Sequence, residues 1–281
     1  MTSPPDRPLG PDQALGGFAV TGDREVAYRS GGGGVEDDHQ LAARLATEAG
    51  ELLLGLRVEL INAGVPRWQV MDEGDAVAHH FLAKALADAR PDDAILSEEG
   101  RDSPNRLAHN RVWIVDPLDG TNEYGEDGRA EWAVHVALVV GGSPAAAAVA
   151  LPVLGTTLAT EPAPTLAPAQ AGPPRIVTSR WHPPRAAAVI GQALGGQFLR
   201  MGGAGAKAMA VVLGHADIYA HAGGMYEWDS AAPSAVAAAA GCHVSRLDGS
   251  PLVYNQRDPW LPDFLVCRPE LAGPVLAALW G

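Results

Sequence analysis

The chain has 281 residues, enough for one large domain or two smaller ones around substantial cores. Hydrophobic residues make up 47%, and no apolar run approaches the roughly 20 residues that a membrane helix needs. The 33 acidic and 20 basic residues leave a formal net charge of -13, which opposes nucleic-acid binding, since that requires a basic surface.

Residues 1–36 read as a disordered tail, with Pro4, Pro5, Pro8, Pro11 and the run Gly31 to Gly34. A short strand within 17–29 is the alternative there. The tail lacks the basic start and apolar stretch of a secretory signal, so the cytoplasm is the expected location. Order begins at the N-cap candidates Asp37 and Asp38. Leu41, Leu45, Leu52, Leu53, Leu56 and Leu60 then recur at helical spacing, until Gly64 and Pro66. Apolar spacing predicts a second helix over 75–89, stopped by Pro91.

Short apolar strands follow at 94–96, 112–115, 132–140, 145–151 and 156–159. The Pro- and Ala-rich stretch 161–174 reads as the boundary between an N-terminal subdomain, 37–160, and a C-terminal one, 175–281. The second half alternates strand 175–179, helix 184–194, strand 197–201, helix 205–213, strand 216–220, helix 228–240, strands 242–246 and 264–267, and a helix from Pro269. Strands alternating with helices argue for an α/β layered fold. Cys242 and Cys267 form no zinc set or disulfide framework and read as reduced packing residues.

The chemistry concentrates in Val112-Trp113-Ile114-Val115-Asp116-Pro117-Leu118-Asp119-Gly120-Thr121. A buried strand runs into a tight loop bearing two carboxylates. Pro117 has no backbone donor and biases Asp116 toward an extended conformation. Gly120 allows a sharp turn or a close approach. Two carboxylates about 4.5 Å apart repel by roughly 3–4 kcal/mol at an effective dielectric near 20. A proton, an Arg or Lys, or a metal must offset that. No Lys or Arg lies between Val112 and Glu126, so a hard divalent cation is the economical answer. Further acids are Glu98 and Glu99 after the strand at 94–96, Asp75 and Asp229. Asp75 and Asp229 each open a predicted helix and can equally be caps.

Taken together, Ser97-Glu98-Glu99, Asp116-Pro117-Leu118-Asp119-Gly120-Thr121 and Trp228-Asp229-Ser230-Ala231-Ala232 resemble the inositol monophosphatase superfamily in order, spacing and motif, over about residues 38–281. The resemblance implies a five-layer αβαβα sandwich with two subdomains and a magnesium site between them. It implies two or three magnesium ions. Glu98, Asp116 and the Leu118 carbonyl would hold the first, and Asp116, Asp119 and Asp229 the second. Asp75 and Thr121 would orient the attacking water, and the Gly120 and Thr121 amides would hold the phosphate. The family's usual Thr-x-x-Asp reads Asp72-Glu73-Gly74-Asp75 here, with Asp72 in the Thr place, and an upstream Lys is missing. That departure bears on the geometry at Asp75 and on a third metal.

Within the superfamily, Asp119-Gly120-Thr121-Asn122-Glu123-Tyr124 is similar to the Asp-Gly-Thr-x-Glu-Phe form of CysQ-type bisphosphate nucleotidases. Glu131 to Leu138, Gly202 to Lys207 and Asp248 to Asn255 resemble further elements of theirs. A Glu that touches inositol in the inositol enzymes is replaced by Ala222, which cannot accept a hydroxyl's hydrogen bond. The resemblance therefore implies removal of the 3′-phosphate of 3′-phosphoadenosine 5′-phosphate to leave AMP. It also implies action on the sulfated nucleotide of sulfate assimilation, and sensitivity to lithium. Lys207, Glu123 and Tyr124 are the expected substrate contacts; a solvated lysine and loop packing are their alternatives. His135 reads as a satisfied core or cleft histidine. Inositol phosphates and fructose 1,6-bisphosphate are the alternative substrates. The partner is a small phosphate ester, with no nucleic acid and no membrane, and the resemblance admits a homodimer. A binding-only sensor of phosphonucleotides or metal would be marked by loss of Thr121, Asp75 or Glu98, and all three are present.

Overall fold

A computed structural model describes residues 36–281. The expected tail and the alternative strand within 17–29 lie outside the described residues, apart from Glu36. Helix α1 spans Asp38–Asn62, and Asp37 caps it: its carboxylate accepts from the Gln40 N–H while the Gln40 side chain accepts from the Asp37 N–H. Helix α2 spans Arg67–Ala89, starting eight residues before its predicted start. Its first turns bury only Val70 and Gly74, so they carry almost no apolar periodicity to read.

The first sheet contains β1 (Ala94–Ser97), β2 (Arg111–Asp119), β3 (Ala133–Val140), β4 (Ser143–Leu151) and β5 (Thr156–Ala159), paired in that order. Only β1 and β2 are parallel. A four-residue helix α3, Thr121–Tyr124, follows β2. Residues 161–174 contain no helix or strand. The second sheet contains β6 (Arg175–Ser179), β7 (Gln197–Met201), β8 (Ile218–Tyr226), β9 (His243–Ser245) and β10 (Trp260–Cys267). Its strand order is β7-β6-β8-β10-β9. Helices α4 (Arg185–Leu194), α5 (Ala204–Val212), α6 (Glu227–Ala239) and α7 (Ala272–Trp280) complete the chain.

Strand alternation builds the layers. In β2, Trp113 and Val115 face α1 and α2 and pack with Leu41, Leu45, Leu53 and Leu82. Val112 and Ile114 point the other way, onto the α5 and α6 residues Met209, Val211 and Val236. The second sheet closes that middle layer with Tyr219, Phe264 and Val266. Its outer face, Ile176, Ile218, Leu265 and Cys267, is covered by Ala187 and Ile190 of α4 and Val275 of α7. The result is the five-layer αβαβα sandwich.

Two strands outrun their predicted lengths at a proline. β2 continues through Pro117, where its pairing with β3 shifts register between Asp116 and Asp119. β10 starts at Trp260 rather than at 264, with Pro262 at the shift between Leu261 and Asp263. A proline cannot donate to a ladder, but a bulge does not ask it to. β8 likewise runs on to Tyr226 through Gly223 and Gly224. No described helix is long and apolar enough to cross a membrane.

Candidate active site

The bulge in β2 aims the carboxylates. The Leu118 N–H donates to Asp116 Oδ1 at 3.1 Å, which folds the loop back over the strand end. Gly120 then takes φ 83°, a left-handed conformation. A Cβ there would lie 2.8 Å from the Glu131 carbonyl oxygen, so no other residue fits.

Asp116 and Asp119 are buried, and Asp229 joins them from the first turn of α6. One carboxylate oxygen from each lies within 4.8 Å of the others. Glu98, just past β1, places its carboxyl beside those of Asp116 and Asp229. Burial and these neighbours push Glu98 up to about 7, Asp229 up to about 6, and Asp116 well above the ordinary carboxylate range. Asp116, Asp119 and the sequence-distant Asp229 thus meet, with Glu98 neighbouring Asp116 and Asp229. Asp229 is also a cap, since its Oδ2 accepts from the Tyr226 N–H at 2.6 Å.

Asp75 is not a helix cap, because it lies inside α2. It reaches the site because Gly74 lets α2 press against the loop: a Cβ at Gly74 would sit 2.5 Å from the Tyr124 ring and 3.0 Å from Leu118 Cδ2. Thr121 Oγ1 lies 3.4 Å from Asp75 Oδ1 and 3.1 Å from the Leu118 carbonyl, so its single proton serves one of the two. Burial and the nearby Glu99 push Asp75 up to about 7.

Asp119 differs from the other acids. Burial alone would raise it, but His135, Lys207 and the Ala204 N–H together hold it below the usual range. The Ala204 and Gly205 N–H groups each donate to it at 2.7 Å. His135 is fully buried. Its Nδ1–H donates to the Trp228 carbonyl at 3.0 Å, and its Nε2 lies 3.5 Å from Asp119 Oδ2, too long for a strong hydrogen bond. Gly205 makes room for that ring, as a Cβ there would sit 2.0 Å from Nε2.

The expected substrate contacts fare unevenly. Tyr124 is corrected: it is fully buried, donates to the Leu53 carbonyl at 3.0 Å and packs edge-on against Trp132, so it faces α1 and not the site. Glu123 is buried, and Arg180 Nη1 and Trp181 Nε1 both reach its Oε1 at 3.3 Å. Lys207 is not solvated. It is 6% exposed, with Nζ donating to the carbonyls of Gly202 and Gly203 and lying 5.4 Å from the Tyr219 ring centroid.

Sequence reasoning missed Arg57, which donates from α1 to the carbonyls of Glu123, Tyr124, Glu126 and Arg129 and so fixes the loop after Thr121. An arginine in the Leu53–Leu60 stripe was the signal for it. It also missed Arg180 and Trp181, for which the sequence carries no local pattern.

The donor set is all oxygen and mostly anionic, and its acids outnumber the nearby cationic group Lys207, which fits a hard divalent ion. Such a site can hold a phosphoryl group against metal charge.

Comparison with known proteins agrees. The Inositol monophosphatase family profile matches residues 36–163 and 175–280. A 3′-phosphoadenosine 5′-phosphate phosphatase of Mycobacterium bovis is 50% identical over 240 residues, covering 83% of this chain and 89% of that protein. The 3′(2′),5′-bisphosphate nucleotidase CysQ of Escherichia coli is 34% identical over 206 residues, covering 68% and 82%. The crystal structure of CysQ from Bacteroides thetaiotaomicron superposes with a TM-score of 0.65 at 26% identity, over 83% of this chain and 97% of that one.

Proposed function

Because the chain belongs to the inositol monophosphatase family, we propose that it is a metal-dependent phosphatase that removes the 3′-phosphate of 3′-phosphoadenosine 5′-phosphate to leave AMP. The convergence of Asp116, Asp119 and Asp229 within 4.8 Å carries the metal-phosphatase part of this reading. The 50% identity to the M. bovis phosphatase supports the substrate.

Magnesium is the proposed ion, bound as two ions by Glu98, Asp116, Asp119, Asp229 and the Leu118 carbonyl. When bound, it supplies positive charge to the phosphoryl group and lowers the pKa of water beside it. The chain does the rest by position. The Gly120 and Thr121 amides, at the left-handed turn of Gly120, are the proposed donors to phosphate oxygens. Thr121 Oγ1 accepts a hydrogen bond from the attacking water while donating its own proton to Asp75 Oδ1. Asp75 is the proton's destination. Lys207 has two of its three N–H groups on the Gly202 and Gly203 carbonyls, and the third is available to the substrate. Residues 161–174 are proposed as the junction of two subdomains.

The test is phosphate release from a panel containing 3′-phosphoadenosine 5′-phosphate, inositol 1-phosphate and fructose 1,6-bisphosphate, with magnesium and with EDTA. Preference for the nucleotide, abolished by EDTA, is the expected result. Equal turnover of the inositol phosphate would remove the substrate assignment.

A further inference from the structure

Glu123 does not offer its carboxylate outward; it holds two other side chains at the rim instead. Trp181 follows β6, and its backbone is pinned where it stands. Ser179 Oγ accepts from the N–H groups of Trp181 and His182, both at 3.2 Å. The indole N–H donates to Glu123 Oε1 at 3.3 Å. The Arg180 guanidinium lies 5.0 Å from the indole ring centroid. Arg180 is itself tied to Glu123 and Glu126, and its N–H donates to the Met201 carbonyl. Despite this ordering, Trp181 is 57% exposed. Holding a large apolar ring still in water loses side-chain entropy without the compensation of burial. A ligand that covers the ring supplies that compensation.

We infer that Trp181, backed by Arg180, is the surface on which the purine ring of the substrate rests. The inference presupposes the nucleotide reading above. The platform is joined to the carboxylates by direct packing. Glu123 lies two residues after Thr121 and fills the space over Gly202, where a Cβ would stand 2.0 Å from its Cδ. At Gly203 a Cβ would stand 2.9 Å from Asp119 Oδ2. Trp181, Glu123, Gly202, Gly203 and Asp119 therefore form one wall, with the phosphate end at Asp119 and the base end at Trp181. Base stacking requires only a π face. The guanidinium behind that ring, itself paired with Glu123 and Glu126, holds the indole plane in place for a base to stack on. The rival surface is Tyr226, 46% exposed and stacked on Trp228 at 4.7 Å beside Asp229. It has no cation stacked on it among the described residues.

The test combines steady-state kinetics on 3′-phosphoadenosine 5′-phosphate with calorimetric binding of AMP, for the wild type, Trp181→Ala, Trp181→Phe and Tyr226→Ala. Trp181→Ala should raise both KM and the AMP Kd about tenfold with kcat within about twofold, at unchanged Tm. Trp181→Phe should retain most of the affinity. Unchanged KM and Kd in Trp181→Ala, or a fall in kcat alone, would overturn the platform. So would losses that follow Tyr226→Ala instead. A wild-type protein that binds AMP, more weakly after Trp181→Ala, but releases no phosphate from the nucleotide would sink the proposed reaction and leave the platform standing. No AMP binding by the wild type would sink the platform.

Discussion

The two ends of strand β2 handle acidic side chains in opposite ways. At its start, Arg111 binds Asp93 through two hydrogen bonds, at 2.8 and 2.9 Å, and reaches Asp38 at 3.0 Å. Arg90 takes the other Asp38 oxygen at 2.8 Å. Burial would raise Asp38, but these two arginines hold it below the usual carboxylate range. At the strand's far end, Asp116, Glu98 and Asp229 crowd together without an arginine and are all pushed up. Paired acids stabilise a fold; unpaired acids gathered in a cleft strain it and call for a ligand. The difference separates a structural network from an active site.

The sharpest way to break that contrast is to neutralise one acid at each end. Asp116→Asn should lower phosphate release by about 10³-fold or more, while the metal-free protein keeps or exceeds the wild-type Tm, because a repulsion is removed. Retained activity would take Asp116 out of the site. Asp93→Ala should do the reverse. It strips Arg111 of its two-bonded partner, leaving only the Asp38 contact, and leaves the buried Trp113 indole N–H, now 2.9 Å from Asp93 Oδ2, unsatisfied. A loss of about 2–4 kcal/mol is expected from denaturant unfolding, with kcat little changed.

The pH dependence sharpens it further. Asp75 and Glu98 are raised to about 7 and Asp229 to about 6, against about 4 unfolded. Between about pH 4 and pH 7 the folded, metal-free protein therefore holds protons that the unfolded chain has lost. Its stability falls as pH rises through that window. A divalent cation bound by these acids would displace those protons, so the Tm increase on adding magnesium should grow from pH 5 to pH 7.5. A pH-independent increase would show that the acids do not bind the ion. The smallest effect is expected far from both ends. Lys84 and Asp88 form an exposed pair on α2, each about two-thirds accessible, and Lys84→Ala should shift stability by no more than about 0.5 kcal/mol.

Much of this was legible in advance where a local pattern carries the information. The leucine spacing announced α1, and the strand–Pro–Gly frame announced the Asp116–Thr121 loop. The boundaries failed where structure overrides the usual meaning of a residue. The strands read as 112–115 and 264–267 run on through Pro117 and Pro262, which sit at bulges. The polar first turns of α2 gave no apolar signal, so Asp75 looked like a cap. Tyr124 is an expected contact from the resemblance of the Asp119–Tyr124 element, with loop packing as the alternative; Gly74 and Arg57, both distant in sequence from it, decide that it turns inward.

The sequence by itself determined which side chains bear the charge, and that nothing basic lies beside Asp116 and Asp119 along the chain. It determined the alternation that makes each strand two-faced, because side-chain direction in a strand follows from position alone. Only the tertiary structure decided that Asp229 arrives beside Asp116 and Asp119, that Asp75 reaches Thr121, and that Glu123 holds Arg180 and Trp181. Those outcomes depend on how closely helices and loops approach one another. That distance is set by packing partners far away in the chain, such as Gly74 against Tyr124 and Gly205 against His135.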